Sequence, residues 1–161
     1  MLRRSVLGLA GLLLAAPPLA DRAMAQTEPQ PRLPEEPLAF ITRDGRRHEF
    51  KVEMALAPEQ QMVGLMFRPS VGAAEGMLFD WGVPRESSMW MRNTITSLDM
   101  IFITADGHIH RIAERTVPYS LAAIDSRGPV RATLELAAGT AERLGLRVGD
   151  RVIQRIFGTA P

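Results

Sequence analysis

The feature that most constrains this chain is its punctuation. Asp44-Gly45, Gly82-Val83-Pro84, Asp106-Gly107 and Gly149-Asp150 break the apolar pattern at short intervals. Each supplies residues that accept the backbone angles of a tight turn. Segments this short cannot become long helices, and most of them alternate apolar and polar residues, the period of a strand with one buried face. Strands are therefore predicted over 38–42, 48–54, 77–81, 87–93, 98–104, 108–114, 131–136 and 151–157. Two short helices interrupt them. One opens at Ala57-Pro58-Glu59, where proline suits the first turn and a carboxylate suits the positive helix end, with Met62, Leu65 and Met66 facing inward. The other covers 140–144 and stops at Gly145. Residues 115–130, broken by Pro118, Gly128 and Pro129, read as one long loop. The expected fold is mainly β: a β-sandwich or an open, barrel-like arrangement of antiparallel sheets, with two short helices.

The two ends of this β-rich segment differ from it in composition. Arg3 and Arg4 precede an apolar run over 6–16 that is too short to span a bilayer, and Ala23-Met24-Ala25 offers the small residues of a cleavage site. Residues 1–25 are thus predicted to be a signal peptide, and the mature protein periplasmic or secreted, with no stable membrane span after cleavage. Residues 26–37 contain four prolines and little apolar bulk, and read as a flexible proline-rich linker. Residues 38–158 form the single compact domain. The whole chain carries a formal charge of +1. Losing Arg3, Arg4, Arg22 and Asp21 changes it to −1 (1 − 3 + 1), which gives no electrostatic reason to bind nucleic acid. The chain has no cysteine. Disulfides, thiol nucleophiles, iron–sulfur clusters and cysteine-based zinc sites are excluded with it.

The densest chemistry lies in 87–100, SSMWMRNTITSLDM. As a strand, 87–93 would place Met89, Met91 and Asn93 on one face and Trp90, Arg92 and Thr94 on the other. Both faces pass from apolar to polar, as in a strand running from a core to a rim. Asp99 follows after a short turn. Arginine, asparagine and a carboxylate around an indole suit a small polar or anionic ligand. Trp90, Arg92, Asn93 and Asp99 are therefore the predicted ligand-binding residues, with Arg68 and Glu75 as outer candidates. The same residues also suit a structural junction, in which Arg92 and Asp99 pair and Asn93 caps a turn.

Several of these segments carry a family resemblance. GLMFRPSV, EGMLFDW, MWMRNTITSLDMIFI, ADGHI and LELAAGTAERLGLRVGDRV occur in the order found in the family of domain of unknown function 192. The similarity runs from about Phe40 to Phe157, and its most specific part is the WMRNT…LD segment. It implies a compact, mostly β domain, often exported, and implies no reaction. Arg92 stands where the family commonly has lysine, and Ser97 where it commonly has proline.

A non-enzymatic envelope module that binds a small ligand without a cofactor is the expected function. The first rival is a hydrolase using Asp99 and Glu75, although no nucleophile elbow, metalloprotease helix or phosphate loop is present. The second is a Cu(I)-binding envelope protein. Met89, Met91, His108 and His110 offer the soft thioether and imidazole donors that Cu(I) prefers. His48 is expected to be solvated.

Overall fold

The structure is a computed structural model and describes residues 26–160. The predicted signal peptide lies outside these residues. Seven strands form one sheet: β1 (Glu35–Ile41), β2 (Arg47–Ala55), β3 (Glu75–Met89), β4 (Leu98–Ile103), β5 (Ile109–Ala113), β6 (Ile124–Ala137) and β7 (Arg151–Ile153). Helix α1 (Pro58–Val63) lies between β2 and β3, α2 (Thr140–Leu144) between β6 and β7, and a 3₁₀ turn (Arg155–Phe157) follows. The fold is mainly β with two short helices, as the turn spacing predicts.

The strand order is β5-β4-β6-β3-β2-β1-β7, and the sheet curls until its two edges meet. His108 bridges to Arg151, and Val152 N donates to Gly107 O at 2.7 Å. Every neighbouring pair is antiparallel except β2 and β3. Parallel strands need a crossover, and α1 with the connection after it provides one.

Curling separates two apolar cores. The enclosed one takes side chains from all seven strands, among them Phe40, Val52, Leu78, Ile101, Ile109, Leu134 and Val152. Leu144 of α2 and Phe157 close one end of it. The second lies on the outer face of β3, β4 and β6, where Met77, Phe79, Leu98, Met100 and Phe102 are covered by Leu65 and Met91. A three-strand patch with core on both faces explains why β4 is buried along its whole length.

Four sequence expectations change. The strand predicted over 151–157 ends at Ile153, and Arg155–Phe157 form the 3₁₀ turn, capped by the Gln154 side chain accepting from Ile156 N. Residues 77–81 and 87–93 are not two strands: β3 continues through Gly82–Pro84, with register shifts between Asp80 and Arg85 and between Glu86 and Ser88. Extra residues accommodated as bulges bend a strand without ending it. β3 then stops at Met89, so Met91 and Asn93 do not continue its alternation. The long loop is shorter than expected, because β6 starts at Ile124 and pairs with the end of β3. Finally, the proline-rich segment contributes to the domain. Gln30 Nε2 donates to Gln60 O and Gly64 O, Leu33 N donates to Glu53 Oε2 at 2.8 Å, and β1 begins at Glu35. Carbonyls at the end of α1, with acceptor capacity to spare, supply the anchor that composition alone does not reveal.

Candidate functional site

The outer face of β6 between β3 and β4 is the floor of a cleft. Alternation sends Ala132, Leu134 and Leu136 into the enclosed core, so Thr133 and Glu135 face outward. The register sets Glu135 between Met77 of β3 and Met100 of β4. Two loops rise over this face. One is the turn after α1, where Gly64 has φ +50°; a Cβ there would come within 2.9 Å of the Phe79 ring. Glycine is thus required for the backbone to lie directly on that ring. The other is the 90–97 loop. Phe67 N donates to Asn93 O at 2.9 Å and fastens the two loops together. Phe67 and Asn93 both hold positive φ, 61° and 53°, at this junction.

Between the loops is a cleft of about 420 Å³. Met62, Met66, Phe79 and Met89 provide apolar wall, while Gln61, Ser88 and Thr94 add polar groups. Two tryptophan–arginine pairs frame it: the Arg85 guanidinium lies 4.4 Å from the Trp81 ring centre, and that of Arg92 lies 5.5 Å from Trp90. Trp81 Nε1 donates to Thr133 Oγ1 at 3.3 Å, which fixes the indole against the floor. Glu135 lines the cleft yet is only 5% exposed. Burial alone pushes its carboxyl up to about 8, with no hydrogen bond or charge contributing. A carboxyl with that value is mostly un-ionised at neutral pH and carries an O–H donor.

The predicted ligand residues divide between the cleft and other parts of the fold. Trp90 and Arg92 line the cleft. Asn93 stands behind its wall, holding the junction with Phe67. Asp99 is fully buried elsewhere, accepting from Arg115 N at 2.9 Å, Gly139 N at 3.1 Å and Ala141 N at 2.8 Å. It ties the loop after β5 to the start of α2 and does not pair with Arg92. Arg68 forms a buried two-pronged pair with Glu53 (3.1 and 3.0 Å), and Glu75 meets Arg32 at 3.3 Å on the surface. Neither lines the cleft, so Asp99 and Glu75 do not converge on it.

The four soft donors are also dispersed. Met89 lines the cleft, while Met91 is buried and accepts from Thr116 Oγ1. His108 lies at the seam where the sheet closes, 3.2 Å from Asp106, and His110 lies beside Arg127 O at 3.4 Å. His48 is half-buried, and its Nε2 has no partner among the described residues.

Sequence reasoning missed Glu135, Trp81 and Arg85. Glu135 had a signal: it is the one acid in the apolar run Ala132-Thr133-Leu134-Glu135-Leu136-Ala137. An acid in an alternating strand normally marks a solvated face, and only the cover from α1 and the 90–97 loop reverses that inference.

A closed, mostly β domain with one covered outer face and a cleft beneath the cover defines the class of protein. A family model matches residues 39–154, and the chain belongs to that family, DUF192, described as an uncharacterized ACR. No curated protein matches the chain. It is similar to a protein from Sinorhizobium meliloti 1021 whose crystal structure is described as that of a "putative transcription regulator". The two are 48% identical with a TM-score of 0.75, over 76% of this chain and 95% of that one. A protein of unknown function from Novosphingobium aromaticivorans DSM 12444 is 36% identical, with a TM-score of 0.73, over 86% and 98% of the two chains.

Proposed function

We propose that this protein is a non-enzymatic binding module of the cell envelope, exported through its first 25 residues, and that the cleft under the 90–97 loop holds a small ligand. One observation carries the proposal: two tryptophan–arginine pairs frame a cleft whose floor carries an almost wholly covered carboxyl with no hydrogen-bond partner among the described residues. Apolar walls with a few convergent polar groups and a perturbed acid are the usual make-up of a small-molecule site. Binding is favoured over hydrolysis because, among the described residues, Glu135 is the one acid lining the cleft and no histidine joins it. General acid–base chemistry commonly uses a second titratable group, and Asp99 is committed to three backbone amides. The regulator description of the Sinorhizobium relative adds no nucleic-acid role here, since a near-neutral chain lacks the charge excess that phosphate binding draws on.

The test is a thermal-shift panel of carboxylates, phosphate esters, sugars and amino acids on the wild-type protein and on Arg92→Ala. A ligand present at 100 times its dissociation constant should stabilise by about 2.7 kcal/mol. Stabilisation of the wild type that shrinks in Arg92→Ala supports a binding module. A panel that leaves the wild-type melting temperature unmoved rejects it.

A further inference from the structure

Glu135 and the two arginines together narrow the chemistry of the ligand, given that the cleft is a binding site. Arg85 and Arg92 reach the cleft without a carboxylate partner among the described residues, each lying on an indole. Two unneutralised guanidinium groups favour an anion there and oppose an entering cation. Glu135 presents the complementary problem. Its side chain is almost wholly covered and has no hydrogen-bond partner among the described residues, but its oxygens are not sealed off: they open onto the cleft, where a bound molecule meets them. Met77 and Met100 flank it in register, and α1 with its following turn brings Gln61 and methionines to the cleft but no charge. Among the described residues, Arg85 and Arg92 are thus the only other charged side chains lining this space.

We propose that the ligand is an organic anion with an apolar body and a hydrogen-bond acceptor at its inner end. Its carboxylate or phosphate meets Arg85 and Arg92, its body lies against Trp81 and Met62, and its inner acceptor takes the O–H of un-ionised Glu135. An oxo-carboxylate has this chemistry. A ligand with an ammonium at the inner end does not, because it would pass two arginines and then need Glu135 ionised.

Both tryptophans of the chain line the cleft, so their emission reports its occupancy. The experiment is a fluorescence titration of the protein with hexanoate, 5-oxohexanoate and hexylamine, at about pH 6 and about pH 9.5. These values lie on either side of the Glu135 transition near 8. At the lower pH 5-oxohexanoate should bind about fivefold more tightly than hexanoate, the worth of one net hydrogen bond. At the higher pH, ionised Glu135 offers no donor and the preference should vanish. Glu135→Gln keeps an N–H donor and should retain the preference at both pH values, while Glu135→Leu should lack it at both. Equal binding of the two anions at low pH, or a preference for hexylamine, overturns this inference and leaves the cleft a binding site. Silence toward all three probes overturns it as well, and the thermal-shift panel then decides whether the cleft binds anything.

Discussion

Two buried acids in this domain have opposite surroundings. Asp99 receives three backbone N–H groups, from Arg115, Gly139 and Ala141, and holds a loop and a helix start with them. Glu135 receives none and faces the cleft. Replacing Asp99 by alanine leaves three amides without an acceptor, two of them at the head of α2. Asp99→Ala should lower stability by about 3 kcal/mol in chemical denaturation. Ligand affinity, measured below the new melting temperature, should stay unchanged, which separates this aspartate from the cleft. The sequence marks Asp99 as a polar residue opening an apolar strand, and the position is correct. Its partners come from residues 115, 139 and 141, and no local pattern connects those segments to residue 99. Trp90 and Arg92 were legible for the reverse reason: an indole beside an arginine at the end of a strand is a local signal. Arg85 stacks on Trp81 across the Gly82–Pro84 bulge, and that adjacency depends on how the strand bends.

At the scale of elements, the turn pairs located nearly every strand, because Asp44-Gly45 and Asp106-Gly107 act through their own backbone angles. What they did not locate were elements shaped by distant contacts. β3 runs through an apparent turn because β6 pairs with it on both sides of the bulge. The 26–37 segment is held by α1 and Glu53, although its prolines predict a tether. Arg68 links these parts: it bonds both oxygens of Glu53 on β2 and also Gln30 O in the anchored segment. Glu53 and Arg68 are both buried, so Arg68→Met removes the main partner of a carboxylate with little access to water. That should cost about 3 kcal/mol and loosen residues 30–34, seen as faster amide exchange there. Restoring neutrality with Glu53→Gln in the Arg68→Met background should recover part of the loss.

For the whole molecule, Glu135 trades stability for a cleft. Its ordinary value of 4.5 rises to about 8 in the folded protein. Between these values the native state retains a proton that the unfolded chain releases. Stability is therefore full below about pH 4.5, falls as pH rises toward 8, and levels off beyond. Glu135→Met, matching its neighbours Met77 and Met100, removes the titration. Its stability advantage over the wild type should grow by about 1.4 kcal/mol per pH unit across that interval and then stop growing, measured by urea unfolding at a series of pH values. A flat difference would mean that the carboxyl is hydrated in the native state. The closed sheet has a further consequence. β1 lies between β2 and β7, so one flank of the first strand stays vacant until residues 151–153 arrive. A nascent chain that lacks residues 151–153 has every other strand available but no means of completing the cylinder. Such long-range pairing is slow to nucleate. Closure of the cylinder thus waits for β7, and until that strand has been made the outer flank of β1 is an open edge able to pair with another chain.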